Sequence, residues 1–375
     1  MNNKILNKTA KSEECCCGPA ANEKIIYRPI HTVGKKATSM GDVAVVSTQW
    51  HIKDYIGAIA VRVGIHRMSY AVCPGLYAVG TPGTIDPVIV SANYKLSFDI
   101  LRRELEGLNV WVLVLDTKGV NVWCAAGKGT FGTLEITKRV KATHLADIVT
   151  GGKLIVPQLG APGVAAHMVK SLCDFTVVYG PVQARDIKRY LKTGMNADPG
   201  MRRVTFGMIE RLTVAWLELV QASKKGLIVS AVLYVSMGIG TQGFSPLIAW
   251  ERSSAIIGLI AAGILSGTLL TAVLLPLLPG KAFSFKGGVL GAVITMAIVV
   301  AHIHFGQHVL INLSLVSPIF FATAISAYLA LNFTGCSTYT SLSGVKKEMQ
   351  ISLPIIIGLV LSSGLLLVVG RIFLI

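Results

Sequence analysis

The carboxyl-terminal part of the chain constrains the fold most, because it is a succession of long apolar stretches. After Gly226 these stretches occupy residues 227–249, 254–279, 287–305, 309–331 and 352–375. Each is close to the ~20 residues that an α-helix needs to cross a bilayer. The sequence therefore predicts an all-α transmembrane domain of five helices over residues 226–375.

The charges around these stretches predict the orientation of the protein. Positive pairs flank alternate loops, and the opposite loops carry only Arg252; the pairs are Lys224/Lys225, Lys281/Lys286 and Lys346/Lys347. Since positive loops stay on the cytoplasmic side, we expect a multi-pass protein of the cytoplasmic (inner) membrane with its first half in the cytoplasm and its carboxyl terminus outside. The only acids after Gly226 are Glu251 and Glu348, both at span ends. This pattern argues against a transporter with a buried carboxylate relay.

The first half of the chain has the composition of a soluble, basic domain. It holds 29 of the 35 basic residues and 17 of the 19 acidic residues. Such charge can attract nucleic acid, anionic lipid or an acidic partner, but no RNA-binding or helix-turn-helix motif accompanies it, which disfavours nucleic acid. The seven cysteines form no secreted disulfide pattern and no signal peptide precedes them, so we expect a reduced, cytosolic domain.

Three segments are predicted before the membrane domain. Residues 1–24 are polar and contain Cys15, Cys16 and Cys17, which is typical of a disordered tail. Residues 25–200 form the folded domain. Residues 201–225 include an amphipathic linker helix, which we expect at the membrane surface.

Strands and helices alternate within the folded domain. Residues 55–90 contain short apolar runs broken by Gly and Pro, which predict short strands and turns. Beyond them, strands are predicted at 110–115, 153–156 and 175–179, and helices at 98–105, 134–148, about 164–172 and 183–191. This alternation predicts an α/β fold, a Rossmann-like domain with a mainly parallel sheet.

One motif follows the buried strand directly. Residues 121–128 read NVWCAAGK, and open α/β sheets bind cofactors at the carboxyl ends of their strands. We expect Asn121 to cap a short helix that ends at Gly127 or Gly129. The helix dipole would favour the thiolate of Cys124, which points to a metal cofactor. The alternative is that Cys124 is a small core residue.

Two phosphate-binding interpretations of this region are weaker. A Walker A loop ending at Lys128 would need Gly in place of Val122 and Ser or Thr in place of Gly129. Residues 127–132 match G-x-G-x-x-G, but the match begins some ten residues after the strand rather than at its end. A dinucleotide site is therefore disfavoured.

The motif resembles the cap-helix signature of the HgcA family, the membrane corrinoid proteins of microbial mercury methylation. Residues 91–99 (SANYKLSFD) and 157–163 (PQLGAPG) resemble the corrinoid domain shared with the large subunit of the corrinoid iron-sulfur protein. The resemblance covers roughly residues 45–200. The membrane spans favour the HgcA family, because the corrinoid iron-sulfur protein has no such tail and carries spaced cluster-binding cysteines, which Cys15, Cys16 and Cys17 do not reproduce.

The resemblance implies a corrinoid-dependent methyltransferase with a cobalamin-type cofactor. The Cys124 thiolate would be the lower axial ligand of cobalt, and the methyl group would pass from methyl-Co(III) to Hg(II) to give methylmercury. The chain lacks the Asp-x-His-x-x-Gly motif of a histidine lower ligand. The implied corrinoid contacts are Asn121, Val122, Trp123, Cys124, Ala125, Ala126, Gly127, Lys128, Thr130, Gln158, Leu159 and Gly160.

The same resemblance implies the partners of the reaction. Cobalt must be reduced in each cycle, which calls for a ferredoxin-like HgcB protein with two 4Fe–4S clusters in an anaerobe. A methyltransferase would supply methyl from a methylated folate, and Cys15, Cys16 and Cys17 are candidates for Hg(II) capture. Two alternatives stay open: a membrane-anchored corrinoid methyl carrier of the acetyl-CoA pathway, and a corrinoid-binding membrane receptor or transporter.

Overall fold

The computed structural model describes residues 26–67, 69–240, 243–305, 313–334 and 342–372. The chain divides into two compact units, one extending to Val204 and the other beginning at Thr205. The predicted tail at residues 1–24, with Cys15, Cys16 and Cys17, lies outside the described residues.

The first unit is built on a seven-stranded sheet. In chain order its strands are β2 (Thr32–Thr38), β3 (Gly41–Val46), β5 (Gly75–Val79), β6 (Val88–Ala92), β7 (Val110–Leu115), β8 (Lys153–Val156) and β9 (Thr176–Tyr179). They lie in the order β2-β3-β5-β7-β6-β8-β9. The four strands from β7 to β9 are parallel, whereas β5 is antiparallel to β7. A separate parallel pair joins β1 (Ile26–Tyr27) to β4 (Tyr70–Ala71).

Helices cover both faces of this sheet. They are α1 (Ile52–Arg62), α2 (Lys95–Glu104), α3 (Val122–Gly127), α4 (Thr133–Ala142), α5 (Leu145–Ile148), α6 (Ala166–Cys173) and α7 (Ile187–Lys192), with short 3-10 helices at Gln158–Gly163 and Ala184–Asp186. Alternate residues of β7 enter two different core clusters: Trp111 and Leu113 on one face, Val112 and Val114 on the other. Burial on both faces explains why β7 reads as an unbroken apolar run. The predicted α/β class with a mainly parallel sheet is confirmed.

Two details of the predicted pattern are wrong. The segment that begins at Tyr55 was assigned to strands and turns, but residues up to Arg62 belong to helix α1. Its apolar residues Ile52, Tyr55, Ile56 and Ile59 recur at helical spacing, which the Gly-rich sequence around them obscured. The predicted helix at 134–148 is two helices, because His144 adopts a left-handed backbone conformation (φ 49°) between α4 and α5.

The strand order creates a switch point in the parallel part of the sheet. From the central strand β6 the chain moves to β7 on one side and then crosses to β8 on the other. When two successive connections run to opposite sides of a strand, a crevice opens at the carboxyl end of the sheet, between the two strands where the direction changes. Here this crevice lies beyond Ala92 of β6 and Val156 of β8.

The second unit is helical. It contains α8 (Met208–Gly238), α9 (Pro246–Leu265), a π-helical turn (Ser266–Leu270), α10 (Thr271–Leu274), α11 (Phe283–Phe305), α12 (Leu313–Thr334) and α13 (Leu342–Ile372). A two-residue strand pair, β10 (Ile239–Gly240) with β11 (Gly243–Phe244), connects α8 to α9. Four segments of the described residues are long and apolar enough to cross a membrane: Pro246–Leu274, Phe283–Ala301, Ser317–Thr334 and Ser343–Leu366.

The predicted count of five spans is corrected to four among the described residues. The first predicted span, 227–249, is interrupted because α8 ends at Gly238 and α9 begins at Pro246. The linker helix predicted within residues 201–225 is not a separate helix, because its helical residues are the first part of α8. Helix α8 contains polar residues such as Glu218, Lys224 and Lys225 and is not among the four apolar segments. Its Gly226 and Gly238 pack closely against Ile264 and Ala249 of α9.

Candidate functional site

Helix α3 projects from the carboxyl edge of the sheet, directly after β7. The Asn121 side chain accepts a hydrogen bond from the Cys124 backbone N–H at 2.9 Å, which confirms the predicted cap. The helix ends at Gly127, and Gly129 takes the left-handed conformation (φ 78°) that closes its last turn. Both ends of this short helix are therefore fixed by local hydrogen bonds.

The two faces of α3 have different environments. Ala125 and Ala126 are buried in the core beneath the helix, so their small side chains let the helix lie close to the sheet rather than contact a bound group. Trp123 is 40% exposed, and Cys124 is also exposed. The interpretation of Cys124 as a core residue is thereby excluded. The thiol is available to a ligand from solvent.

A buried asparagine, Asn93, orients the segment that leads into α3. It follows β6 and is fully buried; its Oδ1 accepts hydrogen bonds from the Thr117 hydroxyl at 2.8 Å, the Gly119 N–H at 2.9 Å and the Thr117 N–H at 3.1 Å. Its Nδ2 donates to Asp116 at 3.2 Å. Asn93 therefore links the end of β6 to the loop after β7. Sequence patterns did not single it out, although it lies within residues 91–99.

The second predicted motif, residues 157–163, packs against the first. A Cβ at Gly163 would lie 2.2 Å from the Phe131 carbonyl oxygen and 3.2 Å from Ala126 Cα, and a Cβ at Gly160 would overlap the Phe131 ring. Glycine is required at both positions by this close approach. The structure thus brings the loop after β8 against the end of α3, as their common sheet edge predicts.

A cleft of about 480 Å³ opens at the switch point beside α3. Asn121, Val122 and Trp123 line one side, and Leu159 reaches it from the second motif. Its remaining walls come from β6, β8, α2 and the segment after β9. A larger cavity of about 790 Å³ lies beside α1, but the position of the smaller one, at the carboxyl edge and next to the motif, makes it the better candidate for a cofactor.

Other predicted residues are not among those that line this cleft. Gln158 is half-buried and accepts a hydrogen bond from Arg202 at 3.3 Å. Lys128 is exposed just beyond α3, while the Thr130 hydroxyl donates to the Ala125 carbonyl at 3.4 Å. The G-x-G-x-x-G match occupies the connection from α3 to α4, not a strand-to-helix turn, which agrees with rejecting a dinucleotide site.

The described residues do not form a protein-only metal centre. No group of three or more His, Cys, Asp or Glu side chains among them is arranged to hold a metal ion. Within the same part of the chain, Cys124 is an exposed free thiol, whereas Cys173 is half-buried.

Comparisons with known proteins point to one type of domain. Residues 30–191 match the family described as CO dehydrogenase/acetyl-CoA synthase delta subunit. Acetyl-CoA decarbonylase/synthase complex subunit gamma of Archaeoglobus fulgidus is 29% identical over 161 residues, 40% of this chain and 33% of the relative. The corrinoid/iron-sulfur protein large subunit of Moorella thermoacetica is 26% identical over 122 residues, 32% of this chain and 27% of the relative.

These matches support a corrinoid-type domain. The matched residues include the sheet from β2 to β9, α3 and the loop at 157–163. The chain spans about a third of the length of these relatives. The family match lies within the first unit, and the four candidate membrane spans lie outside it.

Proposed function

We propose that this protein binds a corrinoid at α3, with Cys124 as the lower ligand of cobalt, and transfers a methyl group to Hg(II) to give methylmercury. The observation that carries the proposal is the exposed Cys124 on a helix capped at both ends, at the carboxyl edge of a corrinoid-type domain. The resemblance of residues 121–128 to the HgcA signature supports the mercury-specific part.

The geometry around Cys124 fits a broad, flat cofactor. A Cβ at Gly127 would meet no atom within 4 Å, so the solvent side of α3 is open near the thiol. Trp123 offers an exposed ring of which one part lines the cleft. The cleft beside Asn121 would accommodate a further part of the same cofactor.

The residues of this chain hold the thiol in place. Asn121 fixes the first turn of α3, and Asn93 fixes the loop that precedes it. Cobalt, when bound, would carry the methyl group. The soft Cys124 thiolate would be the protein group that holds this metal, and Hg(II) would be a likewise soft acceptor. Asn93 and Asn121 are accordingly positioning residues.

The proposed cycle has further requirements. A low-potential ferredoxin of the HgcB type would return cobalt to its reduced state, and a methyltransferase using methylated folate would recharge it. The four apolar helices support membrane association. We propose that the first unit faces the cytoplasm of an anaerobic cell, where both protein partners would be found, and that Cys15, Cys16 and Cys17 deliver Hg(II).

A second candidate is a membrane-anchored methyl carrier of the acetyl-CoA pathway. It is favoured by the relatives, which are named as subunits of acetyl-CoA decarbonylase/synthase complexes. The site would be the same, but the methyl group would pass to another enzyme. A corrinoid-binding receptor or transporter is the third candidate, and it would need no change in cobalt oxidation state.

The deciding experiment is anaerobic methylmercury formation by membranes that contain the full chain and its ferredoxin partner. Wild type is compared with Cys124→Ala and with the matched control Cys173→Ala, which removes the half-buried thiol. We expect product from wild type and the control, and none from Cys124→Ala. Ultraviolet-visible spectra should show that corrinoid stays bound in the Cys124 variant with an altered absorption.

The alternative outcomes separate the candidates. Full activity of Cys124→Ala with corrinoid bound would contradict the ligand role. Absence of product in every sample, despite a bound and reducible corrinoid, would favour the methyl carrier, which is then tested by passage of a labelled methyl group to acetyl-CoA synthase. A corrinoid that binds but is not reduced by any ferredoxin would favour the receptor.

A further inference from the structure

A cavity of the first unit, larger than the cleft beside α3, lies away from the proposed corrinoid site. It measures about 790 Å³ and is bounded by the segment after β1, one side of α1, and Tyr70 of β4. Much of its wall is apolar, with contributions from Ile56, Ala60 and Ile65. Cavities of this size accommodate small organic molecules.

Hydrogen-bond donors converge at this cavity from separate parts of the chain. Arg28, His31 and His51 all line it, and the rings of His31 and His51 lie 3.8 Å apart between centroids. The Nε of Arg28 is buried and has no hydrogen-bond partner among the residues that the structure describes. A buried guanidinium nitrogen without an acceptor is costly, which indicates that an acceptor binds here.

Tyr70 adds a polar group to the same cavity. The residue is only 6% exposed, and it lines the cavity. Tyr70 belongs to β4, and Arg28 directly follows β1, the strand that pairs with β4. The Arg28 N–H donates to the Ala71 carbonyl, which extends this pairing by one residue. Tyr70 and Arg28 both line the cavity.

The charges around the cavity leave a positive excess. Lys95 and Asp54 also line it, but they belong to a closed buried cluster: Lys95 Nζ lies 2.8 Å from Asp54 and 2.6 Å from Asp99, and Arg102 pairs with Asp99 at 2.8 Å and with Asp54 at 2.7 Å. Two positive and two negative groups neutralise each other there. Of the other charged lining residues, Arg28 and Lys53 have no carboxylate partner within the described part of the chain.

We propose that this cavity binds a small organic anion, a phosphate or carboxylate group joined to an apolar body. The anionic group accepts hydrogen bonds from Arg28, Tyr70 and the histidine pair. A planar guanidinium suits either oxyanion. The apolar body lies against Ile56, Ala60 and Ile65. This site is separate from α3 and does not depend on the function proposed for Cys124.

The test is isothermal titration calorimetry of the full chain in detergent with phenyl phosphate, which combines both parts of the expected ligand. Inorganic phosphate and phenol, titrated separately, represent each part alone. We expect wild type to bind phenyl phosphate more tightly than either. Arg28→Gln should weaken phenyl phosphate about tenfold, because it removes a charge-assisted hydrogen bond. Arg62→Gln is the matched control: Arg62 is exposed on α1 outside the cavity, and less than a twofold change is expected.

A second variant tests the cavity without changing a charge. Ala60→Trp should fill the apolar part, so binding of phenyl phosphate is lost while inorganic phosphate still binds. Near-ultraviolet circular dichroism checks that each variant is folded, and if Arg28→Gln is not, Ala60→Trp decides. No saturable binding of phenyl phosphate to wild type, or equal losses in Arg28→Gln and Arg62→Gln, would overturn the proposal. Corrinoid binding is recorded in parallel and should be unchanged in all variants.

Discussion

Replacement of Asn93 by alanine tests how the site is held together. In the native structure Asn93 Oδ1 accepts from two buried backbone amides, those of Thr117 and Gly119, and from the Thr117 hydroxyl. Asn93→Ala leaves both amides without this acceptor. The Thr117 hydroxyl retains the Val120 carbonyl at 2.6 Å. The Thr117 N–H retains the Leu115 carbonyl at 3.1 Å, so only the Gly119 N–H is stranded. A stranded buried amide costs about 1–3 kcal/mol, and we expect the free energy of unfolding to fall by about that amount.

The assay must report on the first unit alone. Trp216 and Trp250 of the second unit are largely exposed and can be changed to Phe, which leaves Trp50, Trp111 and Trp123 as fluorescence reporters in the first unit. Urea unfolding of the full chain in detergent then gives the stability of that unit. The control is Asn109→Ala, because Asn109 is exposed and accepts from Thr81 N–H at 2.9 Å, where water can replace it.

The two variants should differ clearly. We expect Asn109→Ala to change the free energy of unfolding by less than about 1 kcal/mol. A loss in Asn93→Ala no larger than that of the control would refute the reasoning, since it would mean that the loop after β7 does not depend on Asn93. Asn93→Asp should also destabilise, because it replaces the donor to Asp116 with a second carboxylate.

Two further predictions concern packing and ionisation. Gly163→Ala should destabilise the first unit by about 1–3 kcal/mol, because the new methyl group would meet the backbone of Phe131 and Ala126. The new methyl group of Gly127→Ala would meet no atom within 4 Å, so this variant should stabilise α3 by about 0.5–1 kcal/mol in the same urea assay. Burial, with smaller contributions from Asp99 and Asp54, raises the pKa of Tyr70 to about 12. Since the folded pKa lies above the value of 10.0 for a free tyrosine, the stability that Tyr70 contributes should be present below pH 10 and lost as the pH rises towards 12. The difference between the spectrophotometric titration curves of wild type and Tyr70→Phe measures the pKa of Tyr70 directly. A difference curve centred near pH 10 would contradict the prediction.

Local patterns predicted much of the site. Asn121 at the start of the motif indicated a helix cap, and its side chain accepts a hydrogen bond from the Cys124 N–H. The unbroken apolar run of β7 indicated a strand buried on both faces. Asn93 was not predicted, because its partners lie more than twenty residues away in the loop after β7 and no periodicity reports such a pairing. Helix α1 was missed because Gly and Pro in neighbouring segments outweighed its own helical spacing.

The sequence by itself determined the features that depend on contiguous residues. These are the α/β alternation, the capped helix with Cys124, and the apolar helices of the second unit, because hydrogen bonding and burial within one element are encoded in its own residues. Only the tertiary structure decided which elements meet. The order β7-β6-β8 brings α3 and residues 157–163 together, and Arg28, His51 and Tyr70 line one cavity only after β1, α1 and β4 have packed. Such contacts depend on the total free energy of packing among distant segments, which no local pattern records.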